Sequence, residues 1–121
     1  MATKETVKAS DYVGIVSLKR EPKKIEKSGL HPFKSNKVNA PMFEEYPLTL
    51  ECEVAALDGD DQKGYTLVGN IINVSVDEKI LTNGKVDVRK LEPITFDTIN
   101  NKYIVLGDDI ADAFKIGREL K

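Results

Sequence analysis

Pro47-Leu-Thr-Leu-Glu-Cys-Glu-Val54 and Tyr65-Thr-Leu-Val-Gly-Asn-Ile-Ile-Asn-Val-Ser-Val76 are the two stretches that decide the fold of this chain. In the first, Leu48, Leu50, Cys52 and Val54 alternate with Thr49, Glu51 and Glu53. A period of two puts the apolar set on one face of an extended strand. The second stretch is rich in β-branched residues, which suit a pleated surface. Between them lies Asp58-Gly-Asp-Asp-Gln-Lys-Gly64, polar and glycine-bearing, so the pair is predicted to form an antiparallel hairpin with a long polar turn. This acidic turn does not read as a calcium loop. No suitably spaced glutamate follows it, and an EF-hand loop needs flanking helices.

Toward the N-terminus, residues 3–17 are predicted to be helical. Thr3 suits the N-cap, Glu5 the first turn, and Val7, Tyr12, Val13 and Val16 share an apolar flank. Gly14 marks close packing or the start of the exit. A second short helix is expected over 22–28, with Pro22 in its first turn and Gly29 at its end. Residues 31–47 hold three of the five prolines and little periodicity, which predicts a long ordered loop wrapping the domain.

Toward the C-terminus, 77–81 reads as one helical turn, Asn83-Gly84 as a tight turn, and 86–91 as helical or irregular. Ile94-Thr-Phe96 and Tyr103-Ile-Val-Leu106 read as short strands around Asn100-Asn101. After Asp108-Asp109, the residues Ile110, Ala113, Phe114 and Gly117 fall at i, i+3, i+4 and i+7, predicting a closing amphipathic helix. Strands and helices alternate without regular βαβ spacing. The expected class is therefore α+β with a mainly antiparallel sheet, in one domain over 1–121.

Composition narrows the function classes. The 18 basic and 20 acidic residues give a net charge of -2, so no broad field steers the chain onto nucleic acid or an anionic membrane. Scattered aromatics offer no stacking platform for RNA. Cys52 is the only cysteine, which excludes an intrachain disulfide and reads as a buried strand thiol. No apolar run approaches the ~20 residues of a membrane helix, and the first residues lack the apolar core of a signal peptide; cytoplasmic is the expected compartment. No Gly-rich phosphate loop or Cys/His cluster is present, so no metal site is expected. His31, the sole histidine, sits between Leu30 and Pro32 and reads as a loop residue before it reads as a catalytic one. Lys19, Arg20, Lys23, Lys24 and Lys27 form a basic stretch. It is first a solvated helix face, and second a source of charge-assisted donors to a phosphate.

Taken in order, several segments resemble the flavin reductase-like, flavoredoxin-like family of FMN-binding split barrels. Asp11-Tyr-Val-Gly-Ile-Val-Ser17, followed by a charged helix ending at Gly29, is similar to the middle of such proteins. Asn39-Ala-Pro41 followed by Pro47-Leu-Thr-Leu-Glu-Cys52 resembles their return strand, and Val68-Gly-Asn-Ile-Ile-Asn-Val-Ser-Val-Asp-Glu78 their central barrel strand. Pro93-Ile-Thr-Phe-Asp97, Tyr103-Ile-Val-Leu-Gly107 and Ala113-Phe114 resemble their C-terminal end.

The resemblance implies a partial Greek-key split β-barrel with flanking helices, matching the C-terminal part of the family and lacking its N-terminal strands. It implies FMN as cofactor, held weakly or not at all without those strands, and NAD(P)H as an electron donor. It also implies a homodimer, an expectation that unpaired strand edges reinforce. The implied function is flavin-mediated electron or hydride transfer. The alternative is a non-catalytic truncated paralogue or fragment acting as a dimerising module. Carried over by position, Ser17, Lys19 and Arg20 are candidate phosphate ligands, although Leu18 stands where a glycine is common. Ser75 falls where flavoredoxin-like members often place a histidine, and offers a hydroxyl but no cation. Tyr103 lies in a region that can flank the cofactor, or is a core aromatic with its hydroxyl at the surface. No residue is expected to be a covalent catalyst.

Overall fold

The computed structural model describes residues 1–120. Helix α1 spans Val7–Ile15, starting later than the sequence predicts because Thr3 and Thr6 form a buried turn of their own. The Thr3 amide donates to Thr6 Oγ1 at 2.8 Å, and the Thr6 amide donates to the Thr3 carbonyl at 3.1 Å. Thr3 is bridged to Pro93 instead of capping the helix. At the other end, the Lys24 ammonium donates to the carbonyls of Val13 and Val16, both at 2.8 Å. These belong to the carbonyls that a helix C-terminus leaves unpaired, and a cation there also suits the helix dipole. Lys24 opens α2, Lys24–Ser28, which stops at Gly29 in the left-handed region with φ 76°.

The predicted loop over 31–47 contains two short strands, β1 (Pro32–Lys34) and β2 (Pro41–Phe43), paired antiparallel with Phe33 opposite Met42. Prolines at strand ends are compatible with such an isolated ladder. The long hairpin follows, β3 (Leu48–Asp60) against β4 (Gly64–Val76). Its turn is shorter than expected. Asp60 Oδ1 accepts from the amides of Gln62 and Lys63 at 2.9 and 2.8 Å, so pairing continues to Asp60 and Gly64.

A 3-10 turn at Glu78–Ile80 leads into β5 (Leu81–Thr82) and β6 (Lys85–Val86). Asn83 and Gly84 join them at φ 52° and 73°, the two positive values that a tight two-residue hairpin turn requires. Helix α3 (Val88–Leu91) is capped by Asp87, whose Oδ1 accepts from the Arg89 amide at 3.0 Å. Strands β7 (Ile94–Asp97) and β8 (Lys102–Val105) close the order.

All four ladders join neighbours in sequence and all are antiparallel. Mixed helix and antiparallel strand is thus the observed class. Among the described residues no ladder links one hairpin to the next, and no closed barrel is found. The apolar core sits at the root of the long hairpin, where Leu48, Ile80 and Leu91 pack together with Val76 beside them.

Two expectations fail where no packing partner arrives: the buried Cys52 and the closing α-helix. Cys52 is exposed, because the apolar face of β3 beyond Leu48 is open and Val54 is 68 % exposed. The polar face is the covered one at this level: Glu51 is only 4 % exposed. Its carboxylate accepts from Ser35 Oγ at 2.5 Å, Asn73 Nδ2 at 2.5 Å and Ser75 Oγ at 3.1 Å. Ser35 Oγ in turn accepts from the amides of Lys37 and Val38, so the tip of the β1–β2 hairpin is tied onto β3–β4. Lastly, the predicted closing α-helix is a 3-10 stretch at Ile116–Leu120. Ile110 is 99 % and Phe114 92 % exposed. An amphipathic stripe this short needs a packing partner to hold a helix, and no described residue covers it.

Two outcomes follow for stability. Ile80 is 2 % exposed, so Ile80→Ala should lower unfolding stability by about 2–4 kcal/mol, read as a shift of the urea midpoint. The Ser35 hydroxyl, then the Asn73 amide, hold the Glu51 carboxyl below its ordinary value of 4.5. A depressed carboxyl stabilises the fold above the unfolded value and loses that contribution as pH falls through the folded one. Glu51→Gln should therefore lower the urea midpoint at neutral pH, and its deficit should shrink as pH drops below 4.5.

Candidate functional site

The basic stretch after α1 resolves into cations with partners and cations without. Lys24 is spent on the α1 carbonyls. Lys27 bonds the Glu21 carboxylate, which it holds below the ordinary carboxylate value. Lys23 faces Glu26 at 3.8 Å. Lys19 and Arg20 make no ion pair among the described residues. Both are exposed, on a turn in which the Arg20 amide donates to the Ser17 carbonyl at 3.1 Å and to Ser17 Oγ at 3.3 Å. The amides of Leu18 and Lys19 are unbonded among the described residues. The turn thus carries two cations without an ion-pair partner, a hydroxyl and two unbonded amides within four consecutive residues. That is the donor set that charge-assisted phosphate binding uses. Leu18, where the resembled family commonly has a glycine, is exposed.

Tyr103 connects to the same helix. Its hydroxyl donates to Asp11 Oδ1 at 2.7 Å, which raises the phenol above its ordinary value. Its ring lies 5.5 Å from that of Phe96, tilted by 46°. Asp11 lies on α1 and Ser17 two residues beyond its end. Asp11 also borders a groove of about 670 Å³ along α1, walled by Lys8, Tyr12, Ile15, Lys27 and Ser28. Tyr103 is half exposed at the surface, so the core-aromatic alternative does not describe it.

Ser75 stands apart from this group. It donates to Glu51 and accepts from Asn73, and no hydrogen bond or ion pair links it to Ser17, Lys19, Arg20 or Tyr103. It also lines a second cleft, of about 310 Å³, between β1–β2 and the root of β3–β4. Sequence reasoning passed over Glu51 and Lys24. A glutamate alternating with apolar residues looks solvent-facing, and a lysine in a basic run looks solvated; only the neighbouring chain reveals what each touches.

No protein-family model and no curated protein matches this sequence. Solved structures do. Flavoredoxin of Desulfovibrio vulgaris (Miyazaki F) matches over 97% of this chain and 62% of its own, with 30% identity and a TM-score of 0.84. Flavoredoxin from Methanosarcina acetivorans matches over 98% of this chain and 62% of its own, with 32% identity and a TM-score of 0.84. Nitrilotriacetate monooxygenase component B from Bacillus cereus shares the fold at 20% identity and a TM-score of 0.75, over 92% of this chain and 56% of its own. The chain therefore spans about three-fifths of the length of the flavoredoxins it matches. In sequence and in fold, it resembles a partial flavin reductase-like domain, with flavoredoxins among its relatives.

Proposed function

We propose that this chain is a flavin-binding module of an oxidoreductase, with FMN as the cofactor. The observation that carries this reading is the match to two flavoredoxins at 30% and 32% identity over nearly the whole chain. When bound, the flavin supplies the electron or hydride chemistry, with a reduced nicotinamide as the proposed donor.

The chain's own residues bind and position. Lys19 and Arg20 neutralise the FMN phosphate, and the Ser17 hydroxyl donates to it from the same turn. Lys24 fixes where that turn leaves α1 by holding the carbonyls of Val13 and Val16. Tyr103, held by Asp11 at the edge of the α1 groove, flanks the cofactor. The Ser75 hydroxyl is engaged by Glu51, so its part is to shape the second cleft. The fit is to the phosphate end. Of Ser17, Lys19, Arg20, Ser75 and Tyr103, only Ser75 lines one of the five main concavities, and the remaining flavin contacts come from beyond this set.

A second reading is favoured by one observation. Leu50, Val54, Ile71 and Val74 are all exposed on the long hairpin, an apolar surface suited to association between copies. Under it the chain is a dimerising module without redox activity.

FMN titration followed by flavin fluorescence separates the two readings. The wild-type chain should bind FMN more tightly than riboflavin. Lys19→Ala and Arg20→Ala should each weaken FMN binding by about tenfold or more and leave riboflavin binding unchanged. No FMN binding by a chain that sediments as a dimer would replace the first reading with the second.

A further inference from the structure

Residues 31–45 cross the root of the long hairpin as a strap held at two places by different chemistry. At its tip, Ser35 Oγ donates to the buried Glu51 carboxylate. At its base, Glu45 accepts from the His31 amide, at 3.1 Å to Oε1 and 3.0 Å to Oε2, and its Oε1 lies 2.5 Å from His31 Nδ1. The Glu44 amide donates to the His31 carbonyl at 3.1 Å, which brings the two strap ends side by side. Beyond the base the chain is pinned: Leu30 is buried, and the Tyr46 hydroxyl lies 2.8 Å from Ser10 Oγ on α1. The strap can therefore loosen at its base without leaving the molecule.

Loosening there has a local consequence. The first ladder pair next to the clip is Pro32 with Phe43, followed by Phe33 with Met42. Phe33, Met42 and Phe43 form the strap-side wall of the 310 Å³ cleft, and Thr49, Ser75 and Val76 form the opposite wall.

We propose that the His31–Glu45 contact is a proton-operated clip that sets how firmly the strap closes this cleft, independently of what the cleft binds. Glu45 is the hydrogen-bonded partner of the imidazole, and Glu44 is the other charged group acting on it. Both are acidic, so protonated His31 is favoured in the folded chain. Its value is raised above 6.5, chiefly by the hydrogen bond that the ring donates to Glu45. A raised histidine gives its full stabilisation below the unfolded value and loses it as pH rises through the folded one. The tip responds in the opposite direction. Glu51, with Lys37 as the charged group acting on it, is held below 4.5 and lets go only in acid. Across the neutral range the tip stays fixed and only the base yields.

Amide hydrogen exchange on the full chain tests this, read as protection factors between about pH 5.5 and pH 8.5. Protection in β1–β2 should fall by about two- to fivefold with rising pH, the range expected for an exposed ion pair. The β3–β4 amides should stay constant. In His31→Gln the strap should be weakly protected throughout and the step should vanish. In Ser35→Ala protection should drop at both ends of the range with the step retained. NMR titration of the imidazole should give a midpoint above 6.5. A strap with no pH step, a step that survives in His31→Gln, parallel loss in β3–β4, or an imidazole midpoint at or below 6.5 would each overturn the proposal.

Discussion

At the root of the long hairpin, one carboxylate and one leucine fix what lies on either side of the sheet. Leu48 faces Ile80 and Leu91, and Glu51 faces Ser35. They are three residues apart on β3, and side chains alternate along a strand, so the two fall on opposite faces. The apolar side receives the 3-10 turn and α3, and the polar side receives the β1–β2 hairpin. A buried carboxylate is tolerable only when its lone pairs are met. Three side-chain donors meet those of Glu51, and they come from two separate hairpins. Lose that junction and the polar face of β3–β4 has nothing to hold the strap against it.

What could be read from sequence was what depends on near neighbours. The strand over Leu48 to Val54, the Asn83-Gly84 turn and the stop at Gly29 are set by the local backbone, and the structure reproduces each. What could not be read depends on whether a distant segment arrives. Alternation told which residues share a face of β3, but Cys52 and Val54 lie on a face with no cover among the described residues. The stripe of Ile110, Ala113, Phe114 and Gly117 had the right spacing for a helix and no surface to rest on. Thr3 had the right chemistry for a cap and was used for a bridge to Pro93.

The candidate site divides in the same way. Five basic residues were visible between 19 and 27, but sequence gave no means of ranking them. The geometry does so by subtraction: Glu21, Glu26 and two helix carbonyls occupy three of the five. The pair left over is the pair that the family resemblance singles out. Tyr103 and Asp11 could not have been paired from sequence, since 92 residues separate them.

The contacts of the first residues have a consequence for how the chain comes to be folded. The Lys4 amide donates to the Glu92 carbonyl, the Ile94 amide to the Ala2 carbonyl, and the Lys4 ammonium meets the Glu92 carboxylate across 88 positions. Each hairpin between these points is built from neighbours and can form as soon as its own turn has emerged during synthesis. The clasp cannot. Residues 2–4 must wait, unpaired, until residues 92–94 leave the ribosome, so this segment is made long before it can find its place.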